Sequence, residues 1–306
     1  MRDHIREEAN WGYYVSMLLF LGLITWSNYF LLPNQTIEDW IVQRAFGQPE
    51  AFWWYLLFYG LPYLISIGIY ATFHHQWQVF RQKDFWIRFG LIMVLLSLDA
   101  AYYYYRHIFA DVSSVYERYV LTKIVATFTS AMFLGLPLYI FWRAWDRQQE
   151  SFYGLTWKKF DWRPYFLMLL IMVPIVLAAS YTEDFINYYP TLRWRYVLRQ
   201  EALPTWLAYL IYEFSYGLDF TWTELTFRGF MILGMARILG KGAVLPMVSV
   251  YVSRHFAKPM GESISSIFGG YILGVIALRS RNIMGGVLIH MGVALLMEIF
   301  ALLQKL

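Results

Sequence analysis

Four stretches of this chain run for 18 to 23 residues without a single Asp, Glu, Lys or Arg: Trp11–Leu32, Ala51–Phe73, Ile124–Trp142 and Pro164–Tyr181. About 20 apolar residues at helical rise cross the hydrocarbon core of a bilayer, where every backbone amide must find its partner within the protein. The runs therefore predict membrane-spanning helices. A fifth, Phe89–Tyr105, is interrupted by Asp99 alone. Met1–Ala9 is mixed in charge and no small-x-small cleavage site follows the first run, so that run is expected to stay as an anchor.

Composition supports this reading. Hydrophobic residues make up 59% and charged residues 15% of the 306, against roughly 45–50% and about 25% in soluble domains, which excludes a soluble globular protein. The aromatic share of 21% suits belts of Trp and Tyr at two water–lipid interfaces. The net charge of +4 fits basic loops at a membrane, and no nucleic-acid partner is expected. The absence of Cys excludes disulfides, thiolate-bound zinc, iron–sulfur clusters and a thiol nucleophile.

The pattern changes after Pro204. Leu203–Gly240 is hydrophobic yet holds Glu213, Asp219, Glu224, Arg228 and Arg237, and its length exceeds a bilayer's thickness, so a tilt, a kink or a split near Gly217 is expected. Ala243–Phe256, Ser263–Leu278 and Ile283–Leu303 follow. The first two read as short segments, separated by the stop and restart Lys258-Pro259-Met260-Gly261. Broken helices at membrane depth line cavities or lie buried in protein, and a site is expected there. The whole reads as an all-α, polytopic transmembrane helix bundle of about eight or nine hydrophobic segments. Its helices and loops over residues 1–200 and its core over 201–306 are taken as one integrated membrane domain. With the N-terminus cytoplasmic, the inner side carries 14 Lys and Arg against 10 outside, the orientation expected for a bacterial inner-membrane protein.

An ionisable residue at a helix centre costs about 2.5–3.5 kcal/mol on insertion scales, so each must be compensated or useful. Glu224 and Arg228 are four apart, about 40° around a helix, and can pair. At helical rise, Glu224, His255 and His290 lie roughly 20, 18 and 10 Å from the inner ends of their segments. Such a carboxylate with two imidazoles can activate water and hold an oxyanion, or ligate a metal; depth alone does not choose between them. Glu213 lies eleven residues before Glu224, three turns along one face, and reads as lining the same polar cavity.

These residues resemble a known family. Thr223-Glu224-Leu225-Thr226-Phe227-Arg228-Gly229 is similar to the Glu-Glu-x-x-x-Arg-Gly motif of the CPBP family, the CAAX prenyl proteases and bacteriocin-processing enzymes, also called Abi. Tyr251-x-x-x-His255 resembles that family's Phe-x-x-x-His, and His290-x-x-x-Ala294 its His-x-x-x-Asn/Asp. The resemblance covers Asp219–Leu296. It implies a CPBP-like protease core within 201–306 and an intramembrane endopeptidase in which a glutamate and histidines activate water. Glu224, Arg228, His255 and His290 would be catalytic; Thr223, Glu213, Tyr251 and Ala294 would line the site. Two positions depart from the pattern: Thr223 stands where the motif has its first Glu, and Ala294 where it has Asn or Asp. The expected partners are a membrane protein or lipopeptide substrate and the lipid bilayer. No cofactor is expected; were zinc bound, Glu224, His255 and His290 would be its ligands. The alternative is a catalytically inactive scaffold or immunity protein of the same fold, with a transporter ranked last because no repeat is evident.

Several polar residues have plainer readings. Asp99 falls outside the motifs and is left to Tyr102–Tyr105 for satisfaction. Glu262 reads as a carboxylate at a helix start. Ser266, Gly270 and Gly274 form a small-residue packing face. Arg193, Arg195 and Arg199, interleaved with Trp194 and Tyr196, suit lipid headgroups.

Overall fold

In lipid, the helices that carry no polar face are free to sit anywhere, so buried charge and small residues decide which of them become central. The computed structural model describes residues 10–32, 35–45, 47–158 and 160–305, with the side chains of Tyr104 and Tyr105 left aside. Met1–Ala9, assigned above to the cytoplasmic end of the anchor, lies outside the described residues.

Among the described residues the secondary structure is helical, apart from one isolated bridge between Phe152 and Leu155. In chain order the helices are α1 (Trp11–Phe30), α2 (Ile37–Ala45), α3 (Glu50–His74), α4 (Lys83–Ala101), α5 (Val115–Ala126), α6 (Leu136–Trp145), α7 (Arg163–Ala179), α8 (Glu183–Tyr188), α9 (Trp194–Val197), α10 (Thr205–Glu224), α11 (Ala236–Leu239), α12 (Val244–Ser253), α13 (Met260–Ser280) and α14 (Met284–Leu303). Five helical stretches are long and apolar enough to cross a membrane: 50–74, 115–145, 205–253, 260–280 and 284–303. The charge-free α1, the charge-interrupted α4 and the 17-residue α7 complete the hydrophobic segments read from the sequence. The protein is an integral membrane helix bundle.

Two sequence expectations need correction. The long segment does not split at Gly217: α10 runs through it, and the break comes at Leu225–Gly234, where ten residues adopt π-helical winding. A π segment carries an extra residue per turn and re-aims the side chains after it, and such bulges gather at functional sites. The packing of Gly229 suits this course, because a Cβ there would stand 3.0 Å from the Tyr153 carbonyl oxygen. Second, α13 is 21 residues long, a full span rather than a short segment. Pro259 sets its start, as the sequence indicated.

All ten residues of the π segment and all ten of α12 are buried. These two elements form the centre of the bundle, with α12 against α3 and α13, the π segment against α13, and α14 against α7 and α10. The small-residue face of α13 makes the close approach: a Cβ on Gly270 would meet Tyr251, and one on Gly274 would meet Ile232, Met247 and Val244. The outer helices instead expose Trp11, Leu19, Leu23, Leu57, Leu170 and Ile171, a surface that suits acyl chains.

The stretch 146–163 ties the bundle together through a buried charge. Asp146 is fully buried and accepts a two-pronged bond from the equally buried Arg88 of α4, at 2.5 and 2.6 Å. Tyr153 donates to the same carboxylate at 2.7 Å, while Arg88 also donates to the Gly234 carbonyl at 3.2 Å and to Asp84. Burial alone would raise the Asp146 carboxyl, but the bonds from Arg88 and Tyr153 outweigh it and hold it below the usual carboxylate range. Asp146→Asn would leave Arg88 buried without its counter-charge, and the expected loss is about 3–5 kcal/mol, measurable as urea unfolding in detergent. Since the folded-state carboxyl titrates below the unfolded one, its contribution is present above the unfolded value and fades as pH falls through the folded one.

Candidate functional site

The last α-helical residue before the π segment is Glu224, and one turn into that segment comes Arg228. Both are fully buried, with Arg228 Nη1 donating to Glu224 Oε1 at 2.8 Å. From α14, His290 reaches the same oxygen through Nδ1 at 3.1 Å. A third element, α12, supplies Tyr251, whose ring lies under the guanidinium, 4.1 Å from Arg228 Cζ to its centroid, a cation–π arrangement. That ring also lies 4.6 Å from the imidazole of His255 and 6.1 Å from that of His290. The structure thus brings Glu224, Arg228, Tyr251, His255 and His290 together from three separate parts of the chain.

The hydrogen bonds fix the tautomers. His255 Nδ1 faces the Tyr251 carbonyl oxygen at 2.8 Å and must carry the proton there, because a carbonyl only accepts. His290 Nδ1 faces Glu224 Oε1 and donates to it in the arrangement where Glu224 is a carboxylate. In the neutral form each Nε2 keeps its lone pair. Four buried polar atoms in the same turn have no hydrogen-bond partner among the described residues: Glu224 Oε2, Thr226 Oγ1 and Arg228 Nε and Nη2. Unsatisfied buried groups are costly and uncommon, and clustered ones mark a place made for polar occupants.

The remaining expected residues lie around this cluster. Thr223 is half-buried, with its hydroxyl 3.5 Å from the Asp219 carbonyl oxygen. Ala294 is buried one turn beyond His290 and offers only a methyl group. Glu213 has Glu298 of α14 as its charged neighbour, and its Oε2 is without a partner among the described residues. Glu298 itself is held by the Thr191 amide and hydroxyl, at 3.0 and 2.6 Å. Among the described residues no three His, Asp or Glu side chains converge as a metal ion requires.

Three features escape sequence reasoning. Gly286 lies beneath the carboxylate, so close that a Cβ there would overlap Glu224 Oε2. Glu262 does stand in the first turn of α13, and beyond that its carboxylate takes Lys258 Nζ at 2.6 Å and the Tyr189 hydroxyl at 2.7 Å, and stands 3.9 Å from His255 Nε2. Asp99 pairs with Arg254 at 2.6 Å, a partner that the sequence did not indicate. A fourth contribution comes from the N-terminal helices, which pin the loop that carries His255. Asn28 donates to the Phe256 carbonyl at 3.0 Å, Tyr29 to that of Lys258 at 2.8 Å, and Glu38 of α2 lies buried against the Ala257 amide.

Residues 202–296 match the family model described as "Type II CAAX prenyl endopeptidase Rce1-like". No curated protein and no solved structure matches the chain.

Gly286→Ala is expected to cost about 1–3 kcal/mol by overpacking against Glu224, and in a double-mutant cycle with Glu224→Ala most of that loss should vanish, read as unfolding in detergent. A second expectation concerns pH. Burial, opposed by Arg254 and reinforced by Asp39, raises the Glu38 carboxyl to about 7. Its folded value lies above its unfolded one, so its contribution is complete below the unfolded value and lost as pH rises through about 7. Thermal stability should therefore fall between mildly acidic and mildly alkaline pH, and the fall should be shallower in Glu38→Gln.

Proposed function

The C-terminal third of the chain belongs to the CPBP family, whose fold is that of CAAX-type membrane endopeptidases, and from that premise we propose that this protein hydrolyses a peptide bond of a membrane-associated protein or lipopeptide. The observation that carries the reading is the unpartnered Oε2 of the buried Glu224, beside the two free nitrogens of Arg228.

In this mechanism Arg228 and His290 hold Glu224 Oε1 and leave Oε2 to take a proton from water as the water oxygen adds to the scissile carbonyl. The unpartnered N–H groups of Arg228 meet the oxyanion that forms. Collapse of the tetrahedral intermediate breaks the C–N bond. His255 Nε2, the open nitrogen of a ring fixed at Tyr251, relays the proton to the departing amine. His290 is a positioning residue here, holding Glu224 Oε1. The route needs no metal, and the guanidinium already occupies the charge-balancing place beside the carboxylate.

Thr223 and Ala294 favour a second reading, a membrane scaffold on the same fold, since both depart from the family's motif. The two are separated by comparing protein termini in membranes from cells with wild type, a deletion or Glu224→Gln. Peptidase action predicts that the deletion and Glu224→Gln lose the same neo-N-terminus, with turnover by the variant reduced roughly 10²–10⁴-fold. A phenotype of the deletion that Glu224→Gln rescues, with no terminus altered, would establish the scaffold instead.

A further inference from the structure

The segment 181–200, whose Arg193 and Arg195 with Trp194 and Tyr196 suit lipid headgroups, covers a cavity for which peptide hydrolysis has no use. The cavity holds about 750 Å³. Its walls carry four cations from three parts of the chain: Lys123 of α5, Arg193 and Arg195 around the start of α9, and Lys305 just beyond α14. No carboxylate lines it, and among the described residues none of the four forms an ion pair. Glu298 stands next to the cavity with both oxygens engaged by the lining residue Thr191, and its single charge offsets part of the field of Lys123, Arg193 and Lys305.

Two of the cations are set in place by main-chain carbonyls. Arg193 Nη2 donates to the Asn187 oxygen at 2.9 Å, and Lys305 Nζ to that of Tyr189 at 2.6 Å. The other two lie against aromatic rings, Lys123 at 6.0 Å from Tyr119 and Arg195 at 5.5 Å from Trp194. Like charges brought together around a hollow repel one another, even with Arg193 and Arg195 exposed to solvent. Burial and then Arg193 push the Lys305 ammonium below its ordinary value. The arrangement becomes favourable once an anion fills the hollow, and guanidinium forks suit phosphate oxygens.

We propose that this cavity binds a phosphate-bearing group, the headgroup of an anionic lipid. Its volume falls within the range of small-molecule sites and exceeds that of a bare ion. The exposed Leu198, Trp206 and Leu210, from the same segment and from the start of α10, supply apolar surface for acyl chains, with Trp and Tyr at headgroup level. The site also touches the candidate catalytic region through one residue. Tyr189 accepts from Lys305 with its carbonyl and donates to Glu262 with its hydroxyl. The proposal stands whether or not the chain cleaves peptides.

The test uses the full chain, purified in detergent and stripped of lipid, titrated with dioleoyl phosphatidic acid, dioleoyl phosphatidylcholine or inorganic pyrophosphate. Phosphatidic acid should bind and phosphatidylcholine, whose choline neutralises the phosphate, should not. Arg193→Gln/Arg195→Gln should weaken binding ~25-fold, about fivefold per cation, and Lys123→Arg should keep it. Should the double variant not fold, Lys123→Gln should weaken binding about fivefold. Pyrophosphate bound in preference to the lipid, with the same sensitivity to the variants, would keep the phosphate chemistry and make the source soluble. Equal binding of both lipids, equal binding by wild type and the charge variants, or no binding of any probe would overturn the proposal.

Discussion

A guanidinium cannot be left alone in a membrane protein's interior, and the placement of three arginines sets the geometry of this bundle. Removing a charge from water costs several kcal/mol unless a counter-charge and hydrogen bonds replace the lost hydration. Arg88 meets Asp146, Arg228 meets Glu224, and Arg254 meets Asp99. Two of these pairs share α4, on which Arg88 and Asp99 are eleven residues apart. Eleven residues are three helical turns, so both project from nearly the same face, about 16 Å apart along the axis. One end of that face grips the last carbonyl of the π segment, at Gly234, and the other grips Arg254 at the end of α12. The helix α4 therefore measures off the distance between the two central elements' far ends. The Glu224–Arg228 pair and His255 are held in register between them.

This arrangement explains what the sequence made legible. Spans appear as charge-free runs because hydrocarbon penalises each exception, and exceptions stand out for the same reason: Glu224, Arg228, His255 and His290 are conspicuous in a chain of 15% charge. Pairing at i and i+4 is likewise local arithmetic. Besides the local i,i+4 pairs of Arg88 with Asp84 and of Glu262 with Lys258, the long-range partners of Arg88, Asp99 and Glu262 are different in kind. They lie 58, 155 and 73 residues away, at Asp146, Arg254 and Tyr189, and no periodicity links them. The π segment was hidden too, because its residues have ordinary helical composition. Gly286 gave no signal because what it does is omit an atom.

The N-terminal helices are bound into the site by the same physics. The loop 254–259 leaves the membrane core between two helices, and a loop at that depth must have its carbonyls and amides satisfied by neighbours. Asn28 and Tyr29 of α1 do so for Phe256 and Lys258, and Ser263 adds a bond to the His255 carbonyl. The loop is thus closed on both sides by side chains. The imidazole between them turns only within limits set by the bond from Nδ1 to Tyr251.

These constraints bear on the two departures from the family's motif. Neither Thr223 nor Ala294 contributes a hydrogen bond to the Glu224 carboxylate; the groups that do, Arg228 and His290, are present, as is the glycine that gives Oε2 its room. A bundle kept only for its shape gains from replacing a buried ion pair by apolar side chains of similar volume, often by 1–4 kcal/mol. It gains again by closing off four polar atoms left without partners. Keeping all of these, with a histidine from each of two further elements around one tyrosine ring, is the costlier choice in stability. The cost is accounted for if the open oxygen of Glu224 and the open nitrogens of Arg228 meet water and a carbonyl in the course of a reaction.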